Sequence, residues 1–207
     1  MATQFYDVFS ELKLNEELEH LFGDVEIVRV GRVQSKELLR IYILSHRLIT
    51  KERIFQVEGE IKKQYFPGKN LKIKLMEKFQ LSGQYTPKNL MSAYWDSILL
   101  EFREYSMLEY DMLRTAKISF SGEEEEVIDF AVKDTLIARQ KENELYEILE
   151  KIFCGRCGLK VKITFSYYQE KENRLRKNAE ILIQNRVAGI VKQTSHHGRS
   201  EAGTQDV

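Results

Sequence analysis

The stretch "VEIVRVGRVQSKELLRIYIL", residues 25–44, decides the fold of the first part of the chain. Residues 25–33 and 38–44 are rich in β-branched and aromatic side chains, which favour strands over helices. Residues 34–36, which are polar, lie between these two runs and provide a turn. The stretch therefore predicts a β-hairpin.

The hairpin is flanked by predicted helices and followed by a third strand. Apolar residues recur at helical spacing at Phe5, Val8, Phe9 and Leu12 before the hairpin and at Ile54, Val57, Ile61 and Tyr65 after it. Asn15 and Thr50 are residue types that begin helices, and Pro67-Gly68 is a pair that ends them. "LKIKLM", residues 71–76, alternates as a strand does. The first unit is therefore ordered helix, strand, strand, helix, strand.

A second unit with the same order follows the polar stretch "QLSGQYTPKN", residues 80–89. One long helix is predicted by apolar positions three and four apart, at Met91, Trp95 as its core anchor, Ile98, Phe102, Tyr105, Leu108 and Met112. Residues 117–122 and 126–132 alternate as a hairpin across an acidic turn. A helix at about 133–153 and a strand over "LKVKITFSYY", residues 159–168, complete the unit.

The sequence thus predicts an α+β fold with two small α-β-β-α-β units, at residues 1–80 and 87–168. We expect a charged helix at 169–193 and a flexible polar tail at 194–207, because the last residues lack core-forming side chains. The repeated order agrees with an internal duplication. The order is also common in unrelated small α+β domains. No residue string is repeated between the units, so the sequence does not decide between duplication and this second explanation.

The charge balance excludes a global attraction to polyanions. The chain carries 32 Lys and Arg residues and 32 Asp and Glu residues, so any contact with nucleic acid has to be local. Two cysteines cannot form a disulfide framework, and the start, "MATQFYDVFSELKL", carries charges where a signal peptide needs an apolar core. We expect a cytoplasmic protein with no membrane contact.

The stretch "EKIFCGRCGLKVKITF" contains two overlapping motifs, Cys154-x-x-Cys157 and Gly155-x-x-Gly158. A zinc site needs two more ligands, and a redox CxxC needs the start of a helix rather than its end. A KH-type loop joins two helices, whereas this one joins a helix to a strand. The favoured interpretation is a structural turn in which the helix ends at Cys154 and Gly155 is left-handed. In that turn Arg156 faces water and Gly158 begins the strand.

A zinc-linked or redox-linked switch at these cysteines is the weaker alternative, and we expect no metal and no cofactor. Two pairs of lysines, Lys72 with Lys74 and Lys160 with Lys162, lie on the predicted exposed faces of the last strand in each unit. Such stripes suit contact with phosphate, and they also occur as solvated faces that keep a protein in solution. No catalytic residue and no small-molecule site is predicted, because no nucleophile set, carboxylate cluster or phosphate loop is present.

Four segments, taken in order, carry a resemblance to a known family. They are "FSELKLNEELEHLFGDVEIVRVGRVQSKELLRIYIL", "NLMSAYWDSILLEF", "VIDFAVKDTLIARQKENELYEILEKIF" and "LKVKITFSY". With them, roughly residues 5–193 resemble the N-terminal region of PolC-type DNA polymerase III alpha subunits, the replicative polymerases of low-GC Gram-positive bacteria, and the clostridial members in particular. The tail "TSHHGRSEAGTQDV" resembles the start of the linker towards the OB-fold of that family, which implies a piece of a longer polymerase.

The resemblance implies a role in DNA replication as a module that contacts other replisome proteins, with the clamp-loader tau subunit and the helicase as candidates. It also implies that the second unit is similar to the C-terminal domain of tau or has a KH-like topology. The OB-fold, PHP, exonuclease and polymerase domains of that family have no counterpart in these residues, so no catalytic residue is carried over. A module that binds single-stranded nucleic acid is the alternative function.

Overall fold

Two small sheets and the helices packed on them make up the computed structural model, which describes residues 2–83 and 85–169. The residues up to Tyr168 form one compact unit. Its mixture of helices and strands confirms the predicted α+β class. The predicted charged helix at 169–193, apart from its first residue, and the tail at 194–207 lie outside the described residues.

The first sheet has four strands. Its half of the chain contains β1 (Thr3–Gln4), α1 (Phe5–Val8), α2 (Glu16–Phe22), β2 (Glu26–Val33), a 3-10 turn (Gln34–Lys36), β3 (Leu38–Ser45), α3 (Lys51–Tyr65) and β4 (Lys72–Phe79). The strand order is β1-β2-β3-β4, with β2 antiparallel to β3 and β3 parallel to β4. The predicted hairpin at residues 25–44 is confirmed, including its turn.

Two helix ends of the first half follow from the residues that flank them. The Asn15 Oδ1 accepts a hydrogen bond from the Leu18 N–H at 2.8 Å, and Gly68, at φ 72°, follows the end of α3. Thr50 occupies the N-cap position of α3, but its side chain makes no capping hydrogen bond. The first predicted helix is shorter than expected, because Phe9 leaves the helical conformation at the C-cap of α1 and still reaches the core.

The second sheet has three strands. Its half of the chain contains α4 (Pro87–Tyr105), α5 (Met107–Arg114), β5 (Lys117–Ser121), β6 (Val127–Lys133), α6 (Leu136–Glu150), a π-helical turn (Lys151–Arg156) and β7 (Lys162–Tyr168). The strand order is β5-β6-β7, with β5 antiparallel to β6 and β6 parallel to β7. The predicted order of elements and the acidic turn between β5 and β6 are confirmed.

The single long helix predicted through Met112 is wrong, because the chain breaks at Ser106 into α4 and α5. Ser106 is extended, at φ −156° and ψ 105°, and its hydroxyl accepts from the Glu109 N–H at 3.4 Å. A serine that caps a new helix competes with continuation of the old one. Trp95 is half-buried against Phe130, with 5.8 Å between the ring centroids, whereas its neighbour Tyr94 is fully buried.

The two halves share one topology, an antiparallel hairpin whose second strand pairs in parallel with the strand that follows the next helix. Their buried apolar residues belong to one cluster, which runs from the first sheet through α4 to the second sheet. The division into domains at residues 1–80 and 87–168 remains a prediction. In the part of the chain that the structure describes, we find no helix that is long and apolar enough to cross a bilayer.

Candidate functional site

Four charged side chains, two of them buried and two largely buried, meet where the two halves pack together. Lys51, at the start of α3, contacts Glu77 of β4 with an Nζ to Oε1 distance of 2.5 Å and Glu101 of α4 with 3.4 Å to Oε2. Arg156, at the end of the π-helical turn, donates to both oxygens of Glu101 at 2.7 and 2.9 Å and lies 3.1 Å from Glu77 Oε1. We call these four residues the buried ion network.

The buried ion network is electrically balanced and nearly dry. The Glu77 side chain is 1% exposed and that of Arg156 is 14% exposed. Burial alone would raise the pKa of Glu101, but the hydrogen bonds and charge of Arg156, followed by those of Lys51, hold that pKa below its ordinary value. Burial disfavours the charged form of Arg156, yet its hydrogen bonds with Glu101 and the charge of Glu77 raise its pKa. Glu101 and Arg156 are therefore both charged at neutral pH.

Two further polar contacts tie the network to both halves. The Tyr94 hydroxyl of α4 donates to Glu77 Oε1 at 3.4 Å, and burial together with the charge of Glu77 raises the pKa of Tyr94. The backbone N–H of Lys51 donates to Ser97 Oγ of α4 at 3.1 Å, which satisfies one of the free N–H groups at the start of α3. Glu77 Oε2 is buried without a hydrogen-bond partner among the described residues. A buried polar atom without a hydrogen bond lowers the stability of the fold. Removal of a cation from the network would leave a second buried group unsatisfied.

A cleft of about 480 Å³ opens beside the network, between β4, the end of α4 and the π-helical turn. Apolar and aromatic side chains form much of its wall, including Met76, Phe102, Tyr105 and Ile152. Besides Lys51 of the buried ion network, three lysines line it, at Lys74, Lys78 and Lys151. The cleft can therefore accept an apolar group flanked by negative charge.

The turn predicted at the cysteine and glycine motifs is present, but its predicted details are wrong. The helix does not end at Cys154, because the π-helical turn extends to Arg156 and the Cys157 N–H donates to the Ile152 carbonyl at 3.0 Å. The left-handed residue is Gly158, at φ 71°, rather than Gly155. Arg156 does not face water but joins the buried ion network. Ion pairs with Glu77 and Glu101 stabilise the buried guanidinium. These partners lie outside the turn, so the sequence of the turn does not indicate them.

The cysteines of this turn differ in accessibility, which gives a first prediction. Both are free thiols, with Cys154 half-buried and Cys157 buried. Burial is the main cause that raises the pKa of Cys157 to about 12. In the folded chain at pH 8 we expect iodoacetamide to modify Cys154 and to leave Cys157 intact, because only the thiolate reacts. Peptide mass spectrometry, with guanidinium-unfolded chain as the control, measures this, and equal modification of both in the folded chain contradicts it.

The structure places the predicted lysine pairs on two different sheets. Lys72 and Lys74 lie on β4 of the first sheet, where the Lys74 Nζ is 3.7 Å from a carboxylate oxygen of Glu58 and 4.9 Å from the Phe55 ring centroid. Lys162 begins β7 of the second sheet, and Lys160 lies two residues before it, exposed. The two pairs therefore do not share one sheet face.

Acidic side chains do not gather into a metal site within the described residues. No group of three or more His, Cys, Asp or Glu side chains is placed there to hold an ion. The run of glutamates at residues 123–126 lies in the turn between β5 and β6, where Gly122 and Glu125 have positive φ values of 95° and 58°. This agrees with a solvated hairpin turn.

Sequence reasoning missed the buried ion network, although one signal for it was present. Glu77 continues the buried phase of β4 after Ile73 and Leu75, so a carboxylate stands where the alternation calls for an apolar residue. A charged residue at a core position needs a buried partner of opposite charge. The sequence alone could not identify Arg156 as that partner, because it lies 79 positions further along the chain by residue number.

The comparison with protein families finds one match. The family described as DNA polymerase III polC-type N-terminus I matches residues 4–75, which run from β1 into β4. No curated protein and no solved structure matches the chain. The family match confirms the predicted relationship for residues 4–75, which include Lys72 and Lys74.

Proposed function

We propose that the chain is a non-catalytic module that binds another replisome protein, because its residues 4–75 match the N-terminus I region of PolC-type DNA polymerase III, a protein of DNA replication. The buried carboxylates support the proposal. Glu77 and Glu101 are engaged by Lys51 and Arg156, so they are not free to bind divalent ions. The clamp-loader tau subunit and the replicative helicase are the candidate partners.

An exposed apolar surface at the junction of α4 and α5 is the observation that carries this proposal. Met76, Tyr105, Met107 and Leu108, which we call the junction patch, are between 40% and 68% exposed. Tyr105 and Met76 both line the cleft, and Met107 and Leu108 follow directly in the chain. Exposed apolar residues that lie close together, with an aromatic residue among them, are typical of protein interfaces.

Charge indicates the chemistry of the partner segment. The cleft beside the junction patch is lined by Lys74, Lys78 and Lys151. Of these, Lys78 makes no ion pair with a described carboxylate, while Lys74 and Lys151 pair only at 3.7 and 3.3 Å. We therefore propose that the partner presents an apolar side chain flanked by Asp or Glu residues.

Biolayer interferometry with the full chain and purified tau subunit or helicase tests the proposal. The double variant Tyr105→Ser/Leu108→Ser is expected to weaken binding about tenfold or more, as loss of interface anchors does. The matched control is Leu136→Ser/Ile137→Ser, which removes two exposed apolar side chains at the start of α6. Equal loss in both variants, or binding of neither partner at micromolar concentration, contradicts the proposal.

A further inference from the structure

The face of the first sheet that is turned away from the core carries five cations. On β3 and β4 the residues Ile41, Ile43, Leu75 and Phe79 are buried, so the alternate residues lie on the opposite face. The pairing of β2 with β3 and of β3 with β4 brings six residues together on this opposite face: Arg29, Arg40, Tyr42, Lys72, Lys74 and Lys78. We call them the basic face. Glu26 is the one acidic residue at a strand position of this face.

A β-bulge brings Arg29 onto the basic face. The register between β2 and β3 shifts between Ile27, which pairs with Ile43 of the core side, and Arg29, which pairs with Tyr42. Without that shift Arg29 would share the side of Ile27, because side chains alternate along a strand. The Arg29 guanidinium lies 5.5 Å from the centroid of the Tyr42 ring. The bulge therefore places a cation and an aromatic ring next to each other.

Most of these cations have no carboxylate partner. Within the described residues, Arg29, Arg40, Lys72 and Lys78 form no ion pair, and Lys74 has only the 3.7 Å contact to Glu58. In a chain of zero net charge, five positive groups with one acid at a strand position and the Glu58 carboxylate beside Lys74 produce a local positive field. A surface on which both signs are interspersed is the arrangement that favours solubility, and the basic face departs from it.

The centre of the basic face is open. Arg40 lies in register between Gly31 of β2 and Lys74 of β4. A Cβ atom built on Gly31 would meet no heavy atom within 4 Å, and its φ is not left-handed. Residues two apart on a strand are about 6.6 Å apart, which is comparable to the separation of neighbouring phosphates in an extended single strand. A polymer can therefore lie along β4 over Lys72, Lys74 and Lys78.

We infer that the basic face binds single-stranded DNA, with its phosphates on the cations and one base stacked on Tyr42. Proteins that bind single strands combine a positive groove with an aromatic platform, because every base has a π-face. A duplex keeps its bases inside, where Tyr42 could not reach them. The basic face shares Tyr42, Lys74 and Lys78 with the cleft beside the junction patch. We therefore expect DNA and the protein partner to compete for these residues.

The second sheet does not offer the same surface. Its central residue Asp129 accepts hydrogen bonds from the Thr164 hydroxyl at 2.9 Å and the Ser166 hydroxyl at 2.6 Å. A carboxylate at the centre of a sheet face repels phosphate. Lys160 and Lys162, at the edge of that sheet, therefore serve as controls rather than as part of the site.

Fluorescence anisotropy with a labelled oligothymidine and the full chain tests the inference. Titrations at several salt concentrations give the slope of log K against log salt, which is about −0.7 for each phosphate contact and hence about −3.5 for five. The variant Arg40→Gln/Lys72→Gln/Lys78→Gln is expected to bind about 100-fold more weakly at low salt, with a slope near −1.4. Lys117→Gln/Lys160→Gln/Lys162→Gln removes the same charge from the other sheet and is expected to bind as the wild type does.

Two single variants test the same site with little risk to folding. Gly31→Glu adds a carboxylate opposite Arg40 in open space and is expected to weaken DNA binding several-fold. Tyr42→Leu removes the stacking platform and is expected to weaken binding about tenfold with an unchanged salt slope. Melting curves by circular dichroism verify that each variant is folded.

Three results would overturn the inference. The first is that micromolar wild-type chain leaves the anisotropy of the labelled oligothymidine unchanged in low salt. Another is an equal loss of affinity in the basic-face triple variant and in the control triple variant. The third is binding to phosphatidylglycerol vesicles without binding to the oligonucleotide, which would identify the basic face as a surface for anionic lipid.

Discussion

Replacement of Arg156 by methionine is expected to lower the free energy of unfolding by about 3–5 kcal/mol, the range found when one partner of a buried ion pair is removed. Methionine keeps much of the volume of the arginine stem but leaves Glu77 and Glu101 with only Lys51 for charge compensation. The Glu77 Oε2 atom already lacks a hydrogen-bond partner among the described residues, so little relief is available nearby. Urea unfolding followed by circular dichroism measures the change.

A double-mutant cycle separates the charge effect from lost packing. Arg156→Met/Glu101→Gln removes one positive and one negative charge, so Lys51 and Glu77 remain as a balanced pair. We expect this double variant to be more stable than Arg156→Met alone, because the uncompensated buried charge is gone. If the two substitutions are instead additive, Arg156 and Glu101 are not coupled, and the account of the buried ion network fails.

The elements that were predicted well depend on local pattern. Residues 25–44 form the hairpin because β-branched and aromatic side chains fill both runs, and α2 begins at Asn15 because its side chain supplies the cap. These properties are decided within a few residues. The order of elements in the second half was predicted for the same reason.

The features that were missed depend on residues distant in the chain. The alternating run "LKIKLM" ends at Met76, directly before Glu77, so this local pattern does not include the charge of Glu77 in the buried phase. Arg156 was expected in water because a Gly-Arg-Cys-Gly turn is polar by itself, and only the carboxylates of β4 and α4 explain its burial. For the basic face, the local pattern predicted only that Lys72 and Lys74 lie on one exposed strand face. Arg29 and Arg40 needed the register and the bulge.

Replacement of Tyr94 by alanine is expected to destabilise both sheets together, by about 3–5 kcal/mol, as for other large aromatic residues cut back in a core. Tyr94 belongs to α4 of the second half but is fully buried, and its ring meets that of Phe79 on β4 at 5.7 Å and 86°. The Lys51 to Ser97 hydrogen bond and the buried ion network cross the same boundary. Tyr94 therefore lies among contacts that join the two halves, and its loss should destabilise both.

Native-state hydrogen exchange distinguishes a shared transition from two separate ones. We expect Tyr94→Ala to lower the protection of the Ile41 amide in β3 and the Phe130 amide in β6 by the same free energy, because both open only in global unfolding. The control, Tyr94→Phe, keeps the ring, loses the hydroxyl bond to Glu77 and is expected to cost about 1 kcal/mol. If protection from exchange falls in β6 but not in β3, residues 1–80 and 87–168 unfold as independent domains. The contacts around Tyr94 would then join the two halves without making their unfolding cooperative.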